Sequence, residues 1–117
     1  MKIALVIDDQ PAIRRLLAEI LRQAGFRVIT AGEGRDALEK MAEWEIDLII
    51  LDMKMPGMSG AELLRQIRRK SQNPEIIVIT AYSESEVTDQ AMKLGVRHIL
   101  QKPFDVGLLR SIIKRIA

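Results

Sequence analysis

Cysteine is absent from the 117 residues, so the chain has no disulfide framework and no metal site built on thiolates. The formal net charge is only +2, which is too small to indicate direct binding of nucleic acid. No apolar run approaches the roughly 20 residues that a membrane-spanning helix needs. No cleavable signal region precedes the first predicted strand. These absences favour a cytoplasmic globular protein with neither a nucleic acid nor a membrane as its direct partner.

Hydrophobic residues make up 48% of the chain, enough for one domain with a substantial core. Apolar runs of strand length alternate with segments of helical spacing. Strands are predicted at 3–7, 26–31, 47–51, 76–79 and 96–101. Each is followed by a predicted helix, and Ser59 with Glu62 and then Asp105 supply helix-capping patterns. The inner face of the last helix is predicted to be Leu108, Leu109, Ile112, Ile113 and Ile116.

Helices that connect successive strands force parallel pairing with right-handed crossovers. The sequence therefore predicts a single α/β domain over residues 1–117. Its fold would be the flavodoxin-like (βα)5 type, a doubly wound parallel sheet with strand order 2-1-3-4-5.

Polar or charged side chains follow or end four of the predicted strands. Asp8 and Asp9 follow the first strand, Asp52 follows the third, Thr80 the fourth, and Lys102 the fifth. The carboxyl ends of parallel strands meet at one edge, and the predicted order makes the first and third strands neighbours. Three carboxylates would then crowd together, which is unfavourable unless a cation lies between them. Ligands that are all oxygen favour a hard ion such as Mg²⁺.

Carboxylates that hold a metal ion are typical of sites that handle phosphate. Asp52 is the natural nucleophile, since carboxylates form aspartyl phosphates. Thr80 could donate a hydroxyl hydrogen bond to a phosphoryl oxygen, and Lys102 could supply a positive charge.

Each of these residues, taken alone, also has an ordinary structural explanation. Asp9 could cap the first helix, and Asp52 could begin an Asx-turn. Thr80 could be an ordinary strand residue and Lys102 an ordinary surface lysine. Their coincidence at four strand ends favours a shared site.

The sequence resembles the receiver domain of two-component response regulators from residue 2 to about residue 116. The matching stretches are VIDDQ, LIILDMKMPGMSG, VITAY and QKPFD. Within that family it is most similar to the single-domain receiver of the sporulation phosphorelay. DDQPAIRRLL, LDMKMPGM, TAYSE and KPFD carry this narrower resemblance.

The resemblance implies that Asp52 accepts a phosphoryl group from a phosphohistidine of a sensor histidine kinase. The domain would then switch conformation or relay the group to a histidine phosphotransferase. Asp9 and Asp52 would bind Mg²⁺, with Mn²⁺ as an alternative, together with the backbone carbonyl of Lys54. Asp8 would act mainly through a metal-bound water. Such a protein helps to catalyse its own phosphorylation and dephosphorylation, and is not a conventional enzyme.

The resemblance also assigns the remaining residues of the edge. Thr80 would be the switch hydroxyl, Lys102 would pair with the phosphoryl group, and the bond between Lys102 and Pro103 would be cis. Many relatives carry an aromatic residue three positions before the lysine, where this chain has Ile99, with His98 beside it. A β-branched aliphatic side chain cannot make the ring movement of an aromatic one.

A partner that delivers phosphate to Asp52 must dock around the same edge of the sheet. Ile13 and Leu16 of the first predicted helix could contact such a partner, or they could instead belong to the core. The protein is expected to be a monomer or a weak, phosphorylation-dependent dimer. The candidate docking residues are Gln10, Ala12, Ile13, Leu16, Pro56, Gly57, Tyr82, Pro103 and Phe104.

Two other functions compete with this interpretation. Receivers that belong to larger DNA-binding response regulators share much of the same sequence, so the chain could be such a domain excised from its protein. A Mg²⁺-dependent phosphohydrolase could also use an aspartyl phosphate. Against the latter, the position two residues after Asp52 is Lys54 instead of a second acid, and the sequence contains no cap domain.

Overall fold

Alternating strands and helices build a five-stranded sheet in this computed structural model, which describes residues 1–70, 73–81 and 85–117. The strands are β1 (Ile3–Ile7), β2 (Arg27–Ala31), β3 (Leu48–Asp52), β4 (Glu75–Thr80) and β5 (His98–Gln101). The helices are α1 (Pro11–Gln23), α2 (Gly34–Glu43), α3 (Gly60–Arg69), α4 (Ser85–Lys93) and α5 (Val106–Ile116). All neighbouring strands pair in parallel. Their order is β2-β1-β3-β4-β5, so the predicted fold and strand order are confirmed.

The central strands are apolar throughout because both faces of the sheet are covered. Alternate residues of β1 enter opposite cores, with Leu5 and Ile7 on one side and Ala4 and Val6 on the other. Helices α2, α3 and α4 pack on the first side, and α1 and α5 pack on the second. In this three-layer arrangement both faces of the sheet are covered, and the ends of the strands remain accessible for a functional site.

Side-chain caps mark the starts of α3 and α5. Ser59 precedes α3, and its hydroxyl accepts a hydrogen bond from the Glu62 amide at 3.2 Å. The carboxylate of Glu62 bonds Arg65 and Gln66, so its contacts run forward along the helix. Asp105 caps α5 as predicted, with its side chain accepting from Leu108 N at 3.1 Å.

Apart from shifts of one residue at the ends of β2, β3 and β4, two details of the prediction are wrong. Leu108 does not belong to the inner face of α5, because its side chain is 48% exposed while the neighbouring Leu109 is buried. At about 100° per residue, Ile112, Ile113 and Ile116 fall within about 60° of Leu109 around the helix, whereas Leu108 falls about 100° away. Strand β5 begins at His98 and not at residue 96. The amide of Val96 donates to Ala91 O and so still belongs to the turn that ends α4.

None of the helices in the described ranges is both long enough and apolar enough to cross a membrane.

Candidate functional site

Asp8 and Asp52 lie side by side because the strands that carry them pair directly. Ile7 is opposite Leu51 in the β1–β3 register, Asp52 ends β3, and Asp8 follows β1. One oxygen from each of Asp8, Asp9 and Asp52 lies within 4.8 Å of the others. Asp8 and Asp52 are buried, whereas Asp9 is exposed. The structure thus brings together all three predicted carboxylates.

Lys102 reaches this acidic cluster from β5, across the intervening β4. Its Nζ lies 2.9 Å from Asp8 Oδ2 and 3.2 Å from Asp52 Oδ2. A third acceptor, Gln10 Oε1, lies at 3.1 Å, so each ammonium N–H has a partner. The sequence predicted Gln10 only as a docking residue. Its position immediately after Asp9 was the signal that it could also contact the site.

The buried charges change the protonation equilibria of this group. Burial raises the pKa of the Asp52 carboxyl, although the Lys54 amide and the Lys102 ammonium both act to lower it. Burial disfavours the charge on Lys102, but the hydrogen bonds to Asp8 and Asp52, together with the negative charge of both carboxylates, outweigh this effect and raise the pKa of its ammonium. Lys102 is therefore the counter-charge for two buried carboxylates.

Short-range turns hold the two buried carboxylates in place. Asp8 Oδ1 accepts from the amide of Gln10 at 2.9 Å, and Asp52 Oδ1 accepts from the amide of Lys54 at 3.0 Å. The Asx-turn considered for Asp52 is therefore present, and it leaves the other oxygen for Lys102. Asp9 is not the cap of α1, because Gln10 occupies that position and makes no capping bond with its side chain.

Thr80 is buried at the end of β4. Its carbonyl accepts from the backbone amide of Lys102 at 2.8 Å, which ties the lysine to β4. The peptide bond between Lys102 and Pro103 is cis, as the resemblance implied. Ile99 is half-buried and packs against the core beneath α2, α3 and α4. His98 is half-buried on β5, which lies at the edge of the sheet.

An open cleft of about 530 Å³ lies over the carboxylates. Asp9 and Asp52 both line it, whereas Asp8 does not. The exposed side chain of Lys54 also borders it. The complete lining is Asp9, Gln10, Asp52, Lys54, Met55, Pro56, Ala81 and Lys102.

The donor atoms of the acidic cluster suit a hard divalent ion. Among the described residues, one group of acidic side chains lies close enough to share a metal, namely Asp8, Asp9 and Asp52. All three offer carboxylate oxygens, and Asp9 is accessible from solvent. This donor set fits Mg²⁺, which takes one or two carboxylates and keeps several waters.

The predicted docking residues that the structure describes lie on α1 and on the loops around the cleft. Leu16 is 42% exposed, so it does not belong to the core, whereas Ile13 is half-buried and packs against it. Phe104 is also half-buried. Tyr82 lies outside the described residues. The exposed members are Gln10, Ala12, Leu16, Pro56, Gly57 and Pro103.

Comparison with known proteins gives three informative matches. The response regulator receiver domain family matches residues 4–114. The chain is 36% identical over 111 residues to sporulation initiation phosphotransferase F of Bacillus subtilis, covering 95% of this chain and 90% of that protein. It is 33% identical to the regulatory protein AtoC of Escherichia coli, covering 95% of this chain but only 24% of AtoC.

A solved structure extends the comparison to three dimensions. The response regulator protein TrrA of Thermotoga maritima, in complex with Mg²⁺ and BeF, is 38% identical to this chain. The two folds superpose with a TM-score of 0.86 over the whole of both chains.

Proposed function

Because the chain belongs to the response regulator receiver domain family, which accepts phosphoryl groups in two-component signalling, we propose that Asp52 is its phosphorylation site. We propose further that Asp8, Asp9 and Asp52, with the backbone carbonyl of Lys54, form its Mg²⁺ site. One observation carries both proposals. Carboxylate oxygens of Asp8, Asp9 and Asp52, at the ends of two neighbouring strands, lie within 4.8 Å of one another. The ammonium group of Lys102, at the end of a third strand, lies beside them.

Position favours Asp52 over the other two carboxylates as the nucleophile. Asp52 both lines the cleft and accepts from Lys102 Nζ at 3.2 Å, whereas Asp8 does not line the cleft and Asp9 is exposed to solvent. In the transfer, an Asp52 oxygen bonds to phosphorus while the P–N bond of the phosphohistidine breaks. The departing imidazole nitrogen keeps the electron pair. Lys102 and the hydroxyl of Thr80 would stabilise charge on the phosphoryl oxygens.

The chemistry of the donors supports the metal assignment. When bound, Mg²⁺ would offset the negative charge of the carboxylates and of the incoming phosphoryl oxygens. Asp9 and Asp52 line the cleft. Asp8 does not line it and is held by Lys102, so it fits the role that the resemblance implies, which is to contact the metal through a bound water. The likeness to the Thermotoga maritima regulator, whose structure holds Mg²⁺ and BeF, supports the same assignment.

We propose that a sensor histidine kinase supplies the phosphoryl group and that residues 1–117 act as a single receiver domain. The match to 90% of sporulation initiation phosphotransferase F supports a relay that ends at a histidine phosphotransferase. The match to 24% of AtoC supports the second candidate, a receiver that belongs to a longer regulator. Lys54, at the position where a phosphohydrolase would need its second acid, argues against that activity.

Labelling with acetyl phosphate tests the assignment of Asp52. In the presence of Mg²⁺ the wild-type chain should gain one acid-labile phosphoryl group, measured by intact mass. Asp52→Asn should gain none, because an amide is not a nucleophile of this kind, and EDTA should suppress labelling of the wild type. Asp36→Asn is the matched control, since Asp36 is an acid of α2 whose partner is Lys40. Undiminished labelling of Asp52→Asn, or of wild type in EDTA, would overturn the proposal.

A further inference from the structure

Arg14 forms a hydrogen bond with the backbone of the acidic cluster. Its Nη1 donates to the backbone carbonyl oxygen of Asp8 at 2.7 Å. Arg14 belongs to α1 and is half-buried. This hydrogen bond therefore ties the helix to the peptide group that joins Asp8 to Asp9.

The backbone around Asp8 is held from two sides. Its amide donates to Ala31 O at 3.1 Å, which extends the pairing of β1 with β2 by one residue. Its carbonyl accepts from Arg14. The next side chain, Asp9, is exposed in the cleft, so its direction depends on the plane of the peptide that precedes it.

Gly32 leaves the space that the guanidinium of Arg14 occupies. A Cβ atom built on Gly32 would lie 3.1 Å from Arg14 Nη1 and 3.6 Å from its Cζ. The first distance is tighter than most contacts of a Cβ atom, so an alanine here would require the guanidinium to shift by a few tenths of an ångström. Gly32 and Arg14 therefore both affect the geometry of this hydrogen bond.

We propose that Arg14 is a positioning residue for the metal site: its hydrogen bond to Asp8 orients the Asp8–Asp9 peptide and so sets the affinity for Mg²⁺. The inference rests on the proposed Mg²⁺ site. When Arg14 is replaced, loss of its hydrogen bond and loss of its charge should change the affinity for Mg²⁺ in opposite directions. Removing a nearby positive charge would by itself tighten binding of a cation, whereas loss of an orienting hydrogen bond weakens it.

An NMR titration with MgCl₂, followed at the backbone amides of Asp9 and Lys54, separates the two effects. Arg14→Met should bind Mg²⁺ about tenfold more weakly than wild type, the lower end of the range for groups that orient metal ligands. Arg15→Met is the matched control. It removes the same charge from the neighbouring exposed position of α1 and should not weaken binding.

Gly32→Ala tests the same hydrogen bond with every charge retained. It should also weaken binding of Mg²⁺, and it should add nothing further in the Arg14→Met background, because both changes act on the same hydrogen bond. The thermal midpoint of each variant in EDTA shows whether it is folded, and Gly32→Ala decides the question if Arg14→Met does not fold.

The outcomes are distinguishable. If wild type binds no Mg²⁺ at these amides, the proposed metal site fails, and this inference fails with it. If wild type binds Mg²⁺ but a folded Arg14→Met or Gly32→Ala binds it equally or more tightly, the inference alone is overturned.

Discussion

Lys102 takes the position of a counter-ion for two buried carboxylates. Its ammonium lies within 3.2 Å of oxygens of Asp8 and Asp52, and its side chain is only 16% exposed. Buried charges need such a partner, since an unpaired one loses its hydration without compensation. The same ammonium would repel a second cation, so we expect Lys102 to stabilise the metal-free protein and to weaken its affinity for Mg²⁺.

Lys102→Met should separate these two roles at the residue scale. In EDTA the free energy of unfolding should fall by about 1–3 kcal/mol, because Asp8 and Asp52 lose a charged hydrogen-bond donor. Affinity for Mg²⁺ should rise several-fold, because the competing charge is gone. Urea denaturation and the MgCl₂ titration measure these effects. Lys114→Met, an exposed substitution on α5, should change neither. Weaker binding of Mg²⁺ by a folded Lys102→Met would contradict the account.

The loop between β3 and α3 depends on a close approach of its two ends. Gly60 N donates to Met53 O at 3.2 Å. A Cβ atom on Gly60 would lie 2.5 Å from Met53 Cα and 2.7 Å from Met53 O. Both are backbone atoms, which cannot rotate away as the end of a side chain would. Glycine is therefore required where the chain returns beside Met53, and the loop between them carries Lys54.

Two substitutions at this element should differ in their effect on the site. Gly60→Ala should lower the free energy of unfolding by about 1–3 kcal/mol through overpacking, and it should weaken binding of Mg²⁺ by displacing the loop. Ser59→Ala should cost about 1 kcal/mol through loss of the cap on α3 and leave the affinity unchanged. Urea denaturation and the MgCl₂ titration check both variants. Equal affinities for wild type and Gly60→Ala would show that the loop does not supply a ligand.

The whole molecule exposes apolar side chains near the edge of the sheet that carries the site. Leu16 is 42% exposed in α1, which begins two residues after Asp9, and Leu108 is 48% exposed at the start of α5. Both helices cover the same face of the sheet. Exposed apolar side chains beside a site are typical of a surface that binds a protein partner.

Leu16→Ala and Leu108→Ala should impair delivery of phosphate by a protein but not the chemistry at Asp52. Each should slow transfer from a phosphorylated histidine kinase, chosen by phosphotransfer profiling, by about tenfold, as expected for a central apolar contact. Labelling by acetyl phosphate should be unchanged. Met92→Ala is the control, because Met92 is 60% exposed on α4 of the opposite layer. If phosphorylation by the kinase and labelling by acetyl phosphate fall equally, the defect lies in folding or in the chemistry at Asp52. If transfer from the kinase is unchanged, these leucines do not belong to the docking surface.

The sequence by itself determined the elements, their order and the residues at the strand ends. The spacing of apolar residues and the helix caps act within a few residues, so the alternation of strands and helices can be recognised without knowing the rest of the fold. A parallel sheet then brings the ends of its strands to one edge. For this reason Asp8, Asp52 and Lys102 could be predicted to meet.

Only the tertiary structure decided how these residues are held. The Lys102–Asp8 hydrogen bond joins residues 94 positions apart, and the third partner of the ammonium, Gln10, is decided by side-chain reach. The contact of Arg14 with the Asp8 carbonyl, and the space that Gly32 leaves for it, depend on how closely α1 packs against the end of β2. Local periodicity carries no information about such distances, because they are set by packing between distant segments.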